Sequence, residues 1–104
     1  MLDVTPLTDE VDCLADRLRA MPQSALLRGA AGEAYRLAAE LVRRSQLLES
    51  PGREPQRLPE AGPFVVGDQV AVAGHDLAVA LAGTGAREQL EVSVRLVAEV
   101  RARL

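Results

Sequence analysis

The chain has 104 residues, 48% of them hydrophobic, with 12 basic and 15 acidic side chains and a formal net charge of −3. Its single Cys13 excludes an intramolecular disulfide and the usual multi-cysteine zinc frameworks. The acidic balance argues against nucleic acid as a partner, and the apolar share argues against general disorder.

All twelve basic residues are Arg, and Lys, Ile, Asn and Trp are absent. The missing residues are largely those with AT-rich codons, so the coding sequence is read as that of a very GC-rich, actinobacterial genome. Tyr35 and Phe64 are the only aromatics, so the core has to be assembled from Leu, Val and Ala. Such side chains allow close helix approach but bury less area each than aromatics do. A chain built this way gains from dimerising.

The first predicted helix covers 6–21. Thr5 is placed as its N-cap and Pro6 as its first residue. Leu7, Val11, Leu14, Leu18 and Met21 form one apolar stripe, and Pro22 ends it.

The second predicted helix covers 24–48 with Ser24 as N-cap. Leu27, Ala34, Leu41 and Leu48 repeat every seven residues along it. Gly29 and Gly32 lie inside it, either for close contact with a neighbouring helix or as a break. Ser50-Pro51-Gly52 closes it. Four of the six prolines fall in 50–63, which reads as an extended connection pinned by Leu58.

The third predicted helix covers 64–81. Val66, Val70, Ala73, Leu77 and Leu81 mark its core face, and Val65, Val72 and Val79 add a second apolar row. Apolar over most of its circumference, it is expected to be the most buried. Gly83 suits the C′ position.

The fourth predicted helix covers 84–104, with Leu90, Val94, Val97 and Leu104 on the core face. Residues 90–96 also alternate as a strand would. The row Arg87, Glu91, Arg95, Glu99 and Arg103 decides for helix, because alternating charges at every fourth residue pair only on a helical surface.

The expected fold is all-α. It is an antiparallel four-helix bundle made of two helical hairpins, 6–48 and 64–104, joined by the Pro-rich connection in one domain. Residues 9–44 and 68–103 carry identities such as Asp9 with Asp68, Leu18 with Leu77 and Arg36 with Arg95. They read either as a duplicated hairpin or as two amphipathic hairpins written in a small alphabet.

Few residues suggest chemistry. Asp68, His75 and Asp76 share a helical face and are the candidates for a ligand pocket or an interface. Too few ligands accompany them for a metal, and no cofactor is expected. Cys13 lies in an acidic stretch unsuited to a thiolate and reads as a small core or boundary residue. Arg43 and Arg44, with Arg101 and Arg103, close two helices and would form an anion patch if those ends met. Tyr35 is read as boundary packing with its hydroxyl in water, and Phe64 as a plug at the bundle end.

The N-terminus lacks the basic and apolar regions of a signal peptide, and 62–85 is interrupted by Asp68, His75 and Asp76. A cytoplasmic protein without a membrane span is therefore expected. The function expected is a non-enzymatic helical interaction module, self-associating as a homodimer or binding a partner protein. The alternative is a small-molecule carrier or sensor with Asp68, His75 and Asp76 facing an interior pocket.

Overall fold

A computed structural model describes residues 2–104. Four long helices form the fold: α1 (Thr5–Ala20), α2 (Ala31–Glu49), α3 (Val66–Thr84) and α4 (Arg87–Arg103). No strand occurs among the described residues. The strand-like alternation of 90–96 is therefore overridden by the helical register of α4.

The helix ends differ from expectation in instructive ways. The backbone N–H of Thr5 donates to Asp3 Oδ1 at 3.0 Å, so Asp3 supplies the acceptor expected of Thr5. Ser24 makes no capping bond either; Pro22 stands at that cap. At the end of α3 the left-handed residue is Gly85 (φ 66°), not Gly83, which leaves the helix three residues longer than expected. A Cβ there would be strained, so Gly suits the position.

Residues 24–48 do not make one regular helix. A short turn, Gln23–Ala25, runs into a π turn, Leu26–Ala30, in which Gly29 takes φ 141°. The break wins over the continuous helix. A π turn inserts one residue and rotates everything before it. Leu26 therefore takes the core position expected of Leu27, which is 66% exposed. Ala34 and Leu41, beyond the turn, keep their predicted burial.

The two members of each expected hairpin are not each other's main packing partners. α3 lies between α2 and α1 and packs mainly on them, while α1 and α2 barely touch. α4 packs chiefly on α1, then on α2, and only lightly on α3. The two expected hairpins thus hold their mates apart rather than zipped together. The strap formed by 50–62 runs back along α2, with Tyr35 donating its hydroxyl to the Leu58 carbonyl and Gln69 Nε2 donating to the Pro59 carbonyl at 3.0 Å. Leu58 packs on the core as expected, but the Tyr35 hydroxyl is bonded to the strap rather than to water. This return makes α3 parallel to α2 and antiparallel to α1.

The reason for the arrangement lies in α3. It buries nine residues, more than any other helix, among them Gly67, Ala73, Gly74 and Ala78. A Cβ at Gly74 would lie 2.5 Å from both methyls of Val11, and one at Gly67 would lie 3.1 Å from the Ala15 carbonyl. The two glycines, seven residues apart, let the α3 backbone approach α1 more closely than any side chain permits. The close contact expected of Gly29 and Gly32 is made here instead. Gly29 has open space around it, and Gly32 has only the Arg36 guanidinium of its own helix nearby.

The core is one cluster of Leu, Val and Ala, in which Leu7, Val11, Leu14, Leu41, Val70, Leu77, Leu81 and Val97 have no exposed surface. By length and composition alone Pro63–Thr84 is apolar enough to cross a membrane despite Asp68, His75 and Asp76. Half of it is buried inside the bundle, as the central helix of a helical core would be.

Candidate interaction surface

Among the described residues, the large hydrophobic side chains left exposed are Leu27, Phe64, Val72 and Val79. Val72 (63%) and Val79 (73%) stand on the outward face of the helix whose inward face is the core. Val65 continues the row one heptad earlier, half-buried. Phe64, expected to plug the bundle end, is 59% exposed beside it.

Beside this row lies a shallow groove of about 350 Å³ lined by Val42 of α2, Leu58 of the strap, and Val65, Val72 and Ala73, with Asp68 and Asp76 at its rim. Ridge and groove together make an apolar strip along α3 bounded by charge.

The expected site residues sit on this outer surface and not around an interior pocket. Asp68 Oδ1 accepts from Arg19 Nε at 3.0 Å and Nη2 at 2.8 Å, and Asp12 Oδ1 accepts from His75 Nε2 at 2.7 Å. Both pairs tie α3 to α1 and leave Asp68 and His75 at least half exposed. The Asp68 bond is the main reason the Arg19 guanidinium holds its proton more tightly than usual. Asp76 lies on the opposite edge, towards the strap, and forms no ion pair among the described residues. Nothing in the sequence named Arg19 or Asp12 as partners, because that pairing depends on α1 lying against α3.

The arginines expected to form an anion patch are each engaged by a carboxylate. Arg43 and Arg44 both reach Glu40, at the middle of α2. Arg101 forks onto Glu10 of α1 at 2.7 and 3.1 Å, and Arg103 pairs with Glu33, near the start of α2. Each of the four has a carboxylate partner, Arg43 and Arg44 sharing the one of Glu40. Arg103 also leaves the expected charge row on α4, none of whose members pair with one another.

Two arginines on Glu40 have a consequence in acid. Hydrogen bonding to Arg43, followed by the charges of Arg43 and Arg44, outweighs desolvation and holds the Glu40 carboxyl below its usual range. The folded chain then binds fewer protons here than the unfolded chain. The contribution is present above the ordinary glutamate pKa of about 4.3 and is lost as pH falls through the depressed value. Glu40→Gln should therefore lower the urea midpoint at pH 7 and leave it nearly unchanged at pH 2.5. An equal loss at both values would show that the carboxylate charge is not what matters.

Cys13 is exposed and not packed as expected. Among the described residues no three His, Cys, Asp or Glu side chains converge as a metal site would require. A second cleft, of about 520 Å³, opens between the start of α2 and the strap. It is lined by Tyr35, Arg36, Arg57, Glu60, Gly62 and Val66 among others. No protein-family model, curated protein or solved structure matches this chain.

Proposed function

We propose that this chain is a non-enzymatic helical module that self-associates through the outer face of α3. The observation that carries the reading is the exposure of Val72 and Val79 on the most apolar helix of the fold. A single exposed valine is ordinary, whereas a heptad row beside an apolar groove is the pattern of an interface. A second copy fits best, because a two-fold axis lays the exposed valine row of one chain against the same row of the other and covers both at once. An exposed thiol and the absence of any disulfide suit a reducing cytoplasm. The small-molecule alternative has more support at the strap cleft, where Arg36 and Arg57 have no carboxylate partner among the described residues, than at Asp68, His75 and Asp76.

Sedimentation equilibrium tests the reading. The 11.1 kDa chain should sediment at twice its mass at micromolar concentration. Val72→Asp should weaken association at least about tenfold, since it places an unpaired charge in an apolar contact, and should leave the helical circular dichroism intact. A wild-type chain that stays monomeric up to millimolar concentration overturns the proposal.

A further inference from the structure

The exposed row is nearly symmetric about Val72: Val79 stands seven residues after it on α3, and Val65 seven residues before it, in the short 3-10 turn Pro63–Val65 that leads into the helix. The edge facing α1 has the same centre. Asp68 with Arg19 marks one level of that edge, and His75 with Asp12 marks another, about 10 Å further along the axis at 1.5 Å per residue. Val72 lies between the two levels. On the other edge Gln69 and Asp76 face the strap.

Resting on the self-association proposed above, we infer that two chains pair α3 against α3 antiparallel, about a two-fold axis that passes Val72. This arrangement keeps each α1 edge facing the α1 edge of the other copy, inverted end for end. Arg19 then comes opposite the partner's Asp12, and Asp68 opposite the partner's His75. Unlike groups meet at both levels, and the axis repeats each meeting. Val72 meets its own copy, and Val65 meets the partner's Val79.

Parallel pairing is the competing geometry. It also stacks Val72 on its own copy and brings His75 opposite the partner's Asp76. It sets Arg19 and Asp68 against the neutral partner's Gln69, however, and aligns the two helix dipoles head to head. Antiparallel packing opposes the dipoles. Charge and dipole both favour the antiparallel pair.

Disulfide trapping in the full chain, with Cys13→Ser as background, separates the possibilities. A disulfide needs Cα atoms within roughly 7 Å. Val72→Cys should give a covalent dimer under mild oxidation. Val79→Cys alone should not, because its two copies would stand about 21 Å apart along antiparallel axes. An equimolar mixture of Val65→Cys and Val79→Cys chains should link to each other and not to themselves. Self-linking of Val65→Cys and of Val79→Cys would establish parallel pairing and overturn the inference. A dimer by sedimentation in which Val72→Cys fails to link would overturn it too, while leaving self-association standing. A monomer by sedimentation would remove both.

Discussion

Gly74→Val is expected to cost about 3 kcal/mol, at the upper end of what overpacking a tight core contact costs. The first atom of any side chain at residue 74 would fall 2.5 Å from Val11 Cγ1 and Cγ2 and 3.0 Å from its Cβ. Val11 has no exposed surface and cannot swing clear, since a β-branched side chain in a helix has essentially one rotamer. α1 and α3 must therefore separate, which loosens every contact between them. At about 4–8 °C per kcal/mol for a domain of this size, the melting temperature should fall by roughly 12–24 °C. Gly83→Ala is the control. It stands in the same helix with open space around it, and should raise stability by up to about 1 kcal/mol through helix propensity. A Gly74→Val chain that melts with the wild type would mean that α1 and α3 are not in contact at this point.

Leu77→Ala should cost about 2–5 kcal/mol, because its side chain is wholly buried in the central helix and its removal leaves a cavity. Set against a typical total of about 5–15 kcal/mol, that is a large share of the stability of a small domain. Two residues along, Val79→Ser should change monomer stability by less than about 0.5 kcal/mol, since the side chain is 73% exposed. Its effect should appear as weaker association in the ultracentrifuge. Urea unfolding at a concentration low enough to keep the chain monomeric distinguishes the two. If Val79→Ser destabilised the monomer as much as Leu77→Ala, the row would belong to the core and not to an interface.

The patterns that were legible in the sequence are those that depend on one helix at a time. The apolar stripe of α1, the buried face of α3 and the helical state of α4 follow from spacing and local charge, and all three hold. The helix caps were less legible, because Asp3 and Gly85 compete with Thr5 and Gly83 within two residues and small conformational differences choose between them.

What was not legible depends on which helices meet. Gly67 and Gly74 look like weak points in a helix until α1 is laid against them. Gly29 and Gly32 suggest close contact because glycine inside a helix needs compensation, whereas Gly29 serves a π turn that shifts the register and exposes Leu27. Arg101, Arg103, Arg19 and His75 each have a partner on another helix, 49 to 91 residues away.

The sequence by itself determined the fold class, the helix that would be central and the second valine row on it, because helical periodicity is a property of neighbouring residues. Only the tertiary structure decided that the members of each expected hairpin stand apart while α2 and α3 pack together, that Asp68, His75 and Asp76 face outward, and that Val72 and Val79 remain uncovered. Those outcomes follow from how closely backbones can approach, and two glycines at the α1–α3 contact set that distance.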